Sequence, residues 1–152
     1  MRRSLAALVL LFAAACSKDK DKPRDTREEL GEPIGAQVPA AGKQPSMSIA
    51  LAVSKGSDPV AMLAPFVDGI TKAVAKCPDF TDELRAHPFD PAGFEFAVET
   101  GKVKLTGRTD PSPGTKCFAA AFEGKEIGAP SMPRVTGRTE ILLRPSDDAG
   151  QP

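Results

Sequence analysis

Short stretches of the chain alternate apolar and polar residues with a period of two, which predicts half-buried strands. One such stretch occupies residues 47–53. Another occupies residues 94–105 and is interrupted by Thr100 and Gly101, so it predicts a β-hairpin with a two-residue turn. A last strand is expected over residues 134–144. The side chains expected to point inward are Met47, Ile49, Leu51, Val53, Phe94, Phe96, Val98, Ile141 and Leu143.

Apolar residues spaced by three and four predict helices between these strands. Asp58 followed by Pro59 predicts a helix start, because aspartate caps a first turn and proline fits its first position. Pro65 is expected to kink or split this helix, leaving its main part at residues 65–77. A second helix is expected over residues 115–122. The apolar stripes are Val60, Leu63, Val67, Ile70, Val74 and Cys77 on the first helix, and Cys117, Phe118, Ala121 and Phe122 on the second.

The order of these elements predicts the fold class. Prolines interrupt residues 78–92, so this segment is expected to be a loop with one short helical turn at residues 81–85. The order β-α-β-β-α-β then predicts an α+β fold, in which a small antiparallel sheet carries two helices on one face. We assign this domain to residues 46–145 and expect a disordered tail at residues 146–152.

The first 45 residues differ in composition from the rest of the chain. Arg2 and Arg3 precede an apolar stretch that ends at Ala15, so residues 1–15 have the plan of a secretory signal peptide. As a helix, the stretch would span about 16 Å, roughly half of a bilayer core. Residues 16–45 are charge-balanced and then rich in Gly, Pro and Ala, so they bury too little apolar area to offset their ordering entropy. This composition predicts that residues 16–45 form the lipid anchor and a disordered linker.

Cys16 directly follows the alanines that end the apolar stretch. Ala13, Ala14, Ala15 and Cys16 resemble the lipobox of bacterial lipoproteins, although Ala13 stands where that motif most often has leucine. The resemblance implies that the Cys16 thiol receives a diacylglycerol and anchors the mature protein in the lipid bilayer. Ser17 follows the cysteine, which by the same resemblance implies the outer membrane and its periplasmic face. The alternative is an ordinary secreted protein with a free thiol.

Composition disfavours several classes of function. The 20 basic and 20 acidic residues balance, so no basic patch for nucleic acid stands out. All eight aromatic residues are Phe, which removes the Trp and Tyr platforms that stack on sugars and bases. The sequence has no Gly-rich phosphate loop, Ser-centred elbow or His-Glu-x-x-His motif, and we expect no enzyme activity, cofactor or metal.

With Cys16 assigned to lipid, Cys77 and Cys117 remain as a pair. In an oxidising compartment such a pair is expected to form a disulfide, which is worth about 4 kcal/mol in the chain-entropy model. One alternative is a reactive thiol at Cys117, near a helix start, in an anchored thiol-dependent enzyme. The other is a zinc site that adds His87 but lacks a fourth ligand.

The order of elements also resembles a known family. A helix ending at Cys77, a hairpin turning at residues 99–103, a helix containing Cys117 and a closing strand are similar to the C-terminal domain of the energy-transducing TonB family. The similarity is to the branch with one cysteine in each helix, and it covers residues 63–145. The chain lacks that family's aromatic residue beside the first cysteine and its Trp-x-Phe-Pro-like segment. The resemblance implies a protein-interaction domain that binds another envelope protein, through a sheet edge.

Two similar segments share Thr-Gly-Arg-Thr, one at residues 104–110 and one at residues 134–140. We expect both to be strand-to-turn segments whose glycines adopt positive φ. The alternative places Arg108 and Arg138 on one edge, as a clamp for an anionic group of a partner or of peptidoglycan. Residues 101–110 also resemble the strand of a BON domain, which would imply a lipid- or peptidoglycan-proximal binding module.

Metabolic labelling with palmitate tests the lipid anchor. We expect the wild-type protein to incorporate label and Cys16→Ser to incorporate none, because the Cys16 thiol is the expected site of acylation. Equal labelling of the two proteins would contradict the anchor.

Overall fold

The computed structural model describes residues 29–42, 44–108 and 112–144. The predicted signal peptide, Cys16 and the C-terminal tail lie outside these residues. The described strands form one antiparallel sheet in the order β1-β2-β5-β3-β4, and the helices cover one of its faces. The predicted α+β class is therefore confirmed. The strands are β1 (Ile34–Val38), β2 (Met47–Val53), β3 (Ala92–Glu99), β4 (Lys102–Arg108) and β5 (Val135–Leu143), and the helices are α1 (Pro59–Lys76), α2 (Pro78–Ala86) and α3 (Pro113–Phe122).

The side chains predicted to point inward from the strands are all buried. In β2 the buried positions alternate with half-buried ones, as the period of two requires. The predicted hairpin joins β3 to β4, and its two turn residues, Thr100 and Gly101, both have positive φ. This conformation is the one that matches the right-handed twist of the flanking strands.

A cluster of six buried phenylalanine rings, the phenylalanine cluster, connects the sheet to all three helices. Neighbouring ring centroids lie between 4.5 Å apart, for Phe66 and Phe96, and 6.1 Å apart, for Phe80 and Phe94. Such aromatic pairs stabilise a core by about 0.5–1.5 kcal/mol each beyond their buried area. The members are Phe66 of α1, Phe80 of α2, Phe94 and Phe96 of β3, and Phe118 and Phe122 of α3.

Helix α1 begins at the predicted cap and runs without a break through Pro65. The Asp58 carboxylate accepts hydrogen bonds from the N–H groups of Val60 and Ala61, at 3.0 and 3.2 Å, so the predicted cap is present. The helix then continues through Pro65 to Lys76, so of the kink or split expected at Pro65 the split does not occur. Proline removes one N–H donor from the helix, and the buried residues on either side of it keep both halves packed on the same core.

The core-facing side of α1 is also rotated from the predicted stripe. Val60 is 71% exposed, and Leu63 and Val67 are only half-buried. Two apolar stripes overlap on this helix, and the spacing of apolar residues along the sequence does not determine which stripe packs on the sheet. The stripe in the core consists of Met62, Phe66, Gly69, Ile70, Ala73 and Val74.

Two elements go beyond the prediction. Helix α2 extends the single helical turn expected within residues 78–92, because Pro78 takes the first helical position, where its missing N–H costs nothing. Strand β1 lies within residues 16–45, which the sequence assigns to the linker, and pairs with β2. Both elements are short, and each depends on a neighbour for its stability.

The glycines shared by the two Thr-Gly-Arg segments lie inside β4 and β5, and neither has a positive φ. The expectation of turn glycines is therefore wrong. At Gly137 an added Cβ would lie 2.5 Å from the carbonyl oxygen of Ala52 and 2.5 Å from Cζ of Phe96. Glycine is required there because the Phe96 ring lies against β5. At Gly107 the nearest atom is a terminal oxygen of the Glu95 side chain, at 2.9 Å.

Replacing each of these glycines by alanine separates the two environments. We expect Gly137→Ala to lower the free energy of unfolding by about 3 kcal/mol, because a backbone carbonyl and a packed ring must move. Gly107→Ala is the matched control and should cost less than about 1 kcal/mol, since a flexible carboxylate moves aside. Urea denaturation measures both, and equal losses would contradict the close approach at Gly137.

Candidate functional site

A disulfide joins the junction of α1 and α2 to α3. The Sγ atoms of Cys77 and Cys117 are 2.00 Å apart and their Cα atoms 5.8 Å apart, across a sequence separation of 40. Cys77 is completely buried, whereas Cys117 is exposed. The expectation that both cysteines face inward is therefore wrong for Cys117, because α3 turns Phe118 and Phe122 towards the core.

Glu83 of α2 caps the start of α3. Its Oε1 accepts the N–H of Gly114 at 2.8 Å, and its Oε2 accepts the hydroxyl of Ser112 at 2.6 Å. The Ser112 Oγ in turn accepts the N–H of Thr115 at 3.2 Å. The bond from the Ser112 hydroxyl, followed by the backbone N–H groups, lowers the pKa of Glu83 and outweighs desolvation. The carboxylate form is thus held at the positive end of α3.

Gly114 sets how closely α2 and α3 approach each other. An added Cβ would lie 2.5 Å from Oε2 of Glu83 and 2.6 Å from Cα of Phe80. The disulfide and this close contact hold α2 against α3 at two separate points. In this arrangement the two cysteines and the Glu83 carboxylate stabilise the fold.

Arg108 and Arg138 lie on different strands of the sheet. Arg108 pairs with Phe94 and Arg138 pairs with Glu95, so β3 lies between the strands that carry them. Arg138 lies on β5, an interior strand, where its guanidinium pairs with Glu140 at 3.0 Å. The two residues therefore do not share one edge strand, and their binding of an anionic group stays a prediction.

The first half of the edge strand β4 is covered by residues 124–128. The N–H of Val103 donates to the carbonyl of Lys125 at 2.9 Å, and the N–H of Gly124 donates to the carbonyl of Val103 at 2.8 Å. Beyond Val103 no segment within the described ranges pairs with the outer side of β4. This open half of β4, residues 104–108, includes the exposed side chains of Lys104 and Thr106.

The opposite edge, β1, has different chemistry. Its sequence is Ile-Gly-Ala-Gln-Val, with no charged residue. Ile34, Ala36 and Val38 are half-buried on the helix side of the sheet, and Gly35 and Gln37 are exposed on the other side. The sequence pattern gave little sign of this strand, since Pro33 and Pro39 flank it closely.

A cleft of about 280 Å³ lies beside α2 and the start of β3, and His87 and Asp90 line part of it. His87 is exposed, and no group of three His, Cys, Asp or Glu side chains in the described part of the chain is placed to hold a metal ion. The neighbouring Phe89 is 88% exposed, the one aromatic residue among those described that stays outside the phenylalanine cluster.

Comparisons with protein-family models, with curated proteins and with solved structures found no match to this chain. Within the described residues, no helix has the length and apolar character needed to cross a bilayer. The distinctive features of the described structure are two sheet edges of different chemistry on a scaffold cross-linked by a disulfide.

The unequal exposure of the two cysteines leads to a prediction. Reduction should lower the free energy of unfolding by about 4 kcal/mol, because the unfolded chain regains the entropy of the opened loop. In the reduced protein under native conditions, iodoacetamide should modify Cys117 well before Cys77, since only Cys117 is exposed.

Urea denaturation with and without dithiothreitol measures the first effect, and peptide mass spectrometry over a time course measures the second. Equal alkylation rates in a reduced protein that retains its circular dichroism spectrum would contradict the burial of Cys77.

Proposed function

We propose that this protein is a lipoprotein of the bacterial cell envelope whose domain binds another envelope protein and catalyses no reaction. In this proposal, Cys16 carries the lipid and places the protein on the periplasmic face of the outer membrane. The observation that carries the binding role is the open half of β4. An open strand edge offers backbone N–H and C=O groups to an extended segment of a partner.

The geometry of β4 defines which groups are offered. The backbone groups of Val103 point outward to residues 124–128, and positions two apart along a strand point the same way. Leu105 therefore directs its N–H and C=O to the open side, next to the end of the covering segment. A partner strand added there would hydrogen-bond to the outer side of β4 next to residues 124–128.

Charge favours a partner segment with acidic residues. Lys102 and Lys104 are exposed along β4. Opposite charges on neighbouring strands stabilise the pairing by about 0.2–1 kcal/mol per pair. The register bulge between Glu95 and Phe96 increases the twist of this corner and limits the partner to a short segment.

The remaining features support an anchored binding domain. The structure has a helix, a hairpin, a helix and a strand in the order on which the resemblance to the TonB family rests, with its two cysteines joined. Between Cys16 and the start of β1 at Ile34, the chain is long enough to reach at most about 60 Å when extended. The domain could thus reach a partner within the periplasm while its lipid stays in the membrane.

Site-specific photo-crosslinking in cells tests the binding role. A photoreactive residue at Thr106, in the full chain, should form an adduct with one envelope protein, because Thr106 lies on the open half of β4. Adding Lys104→Glu should reduce the adduct about fivefold, by replacing an attraction with a repulsion. The adduct is measured on gels and identified by mass spectrometry.

The matched controls use α3. The same photoreactive residue at Lys116, which is exposed, should not give this adduct, and Lys116→Glu should leave the Thr106 adduct unchanged. Absence of any adduct at Thr106, or an adduct that is indifferent to Lys104→Glu, would count against the proposed edge. Palmitate labelling reports the anchor separately.

A further inference from the structure

The β1 edge is less protected against pairing than the β4 edge. Edge strands are protected by charges, bulges, prolines, short length or a covering segment. β4 has exposed charges, a bulge and a covering segment. β1 is short and lies between Pro33 and Pro39, but it has no charged residue and no register shift against β2, and within the described ranges no strand lies on its outer side. The edge is therefore open to pairing.

An apolar flank of α1 lies beside this edge. Val60 is 71% exposed, and Leu63 and Val67 are half-buried. At about 100° per residue, these three positions lie about 120–180° around the helix axis from Gly69. Gly69 faces Phe122 of α3, with an added Cβ 3.1 Å from the ring. The flank therefore points away from α3, to the side on which α1 packs over β1.

We infer that two copies of this chain pair through β1 into one continuous antiparallel sheet, with the two α1 flanks packed together on its helix side. The occupant of the edge is a second copy because β1 is self-complementary. A two-fold axis at Ala36 places Ile34 opposite Val38 of the second copy, so apolar residues meet on the helix side. On the other side it places Gly35 opposite Gln37, where the glycine leaves room for the longer side chain.

The same register accounts for the absence of charged residues in β1 and for its short length. Like charges directly opposite each other destabilise a strand pair, and a two-fold axis would bring identical charges close together. β1 contains none. Pro33 and Pro39 lack N–H groups and so limit the ladder to the strand between them. Ile34 and Val38 are half-buried in the single chain, and a neighbouring strand would cover them further.

Cysteine crosslinking of the full chain in cells tests the pairing. Ala36→Cys places two thiols at the two-fold axis, where directly opposed Cβ atoms lie about 4.5–5.5 Å apart. We expect a species of twice the chain mass on non-reducing gels, which reduction converts to monomer. Lys104→Cys, exposed on the β4 edge, is the matched control and should give no such species. Absence of the Ala36→Cys dimer, or an adduct with a different protein, would overturn the inference.

A charge exchange in the Ala36→Cys chain tests the register. Gly35→Lys with Gln37→Lys, and Gly35→Glu with Gln37→Glu, should each reduce the dimer about tenfold because like charges face each other. Both positions are exposed, and an added Cβ at Gly35 makes only an ordinary contact, 3.7 Å from the carbonyl oxygen of Ile49. Misfolding is therefore not expected.

Co-expression of the lysine and glutamate variants, carrying different tags, should restore a mixed dimer to the wild-type level. Restoration identifies the pairing of position 35 with position 37, which a folding defect would not produce. Undiminished dimers in the single-sign variants, or no mixed dimer between variants of normal abundance, would overturn the inference. These substitutions leave β4 unchanged, so the Thr106 adduct reports the proposed partner binding independently.

Discussion

The fold depends on the packing of the phenylalanine cluster against backbone that comes unusually close to it. Three glycines allow this approach. An added Cβ would crowd the ring of Phe96 from Gly137, the ring of Phe122 from Gly69, and the Cα of Phe80 from Gly114. Because the rings come from β3 and from all three helices, the sheet and the helices share one contact network. A small domain gains stability from such concentrated burial.

The disulfide and the Glu83 cap join α2 to α3 next to the phenylalanine cluster. Cys77 lies three positions before Phe80, and Cys117 directly precedes Phe118, so the bridge holds the stacked pair of Phe80 and Phe118 together. The described part of the domain also leaves no buried side-chain nitrogen or oxygen without a hydrogen bond. The two edges of the sheet differ in charge and cover. β4 carries exposed lysines and a covering segment, whereas β1 has no charged residue.

The differences between expectation and structure have physical causes. Periodicity located the hairpin and the strands because their inward positions carry large apolar residues. It misassigned α1, where Val60 and Leu63 continue an apolar spacing as regular as that of the core. It predicted only one turn of α2, because Pro78 at a first helical position looks the same in sequence as a proline in a loop. Glu83 of α2 caps α3, and no spacing of residues within α2 predicts a carboxylate that caps another helix.

Local periodicity predicted the class of fold and the inward face of each predicted strand. The chain has three cysteines, and the expected assignment of Cys16 to lipid left Cys77 and Cys117 as partners. The pairing of β1 with β2 and the close approach of Gly137 to Phe96 were visible only in the tertiary structure. Each of these depends on strand order and register, which bring together residues that are distant in sequence and leave no local pattern behind.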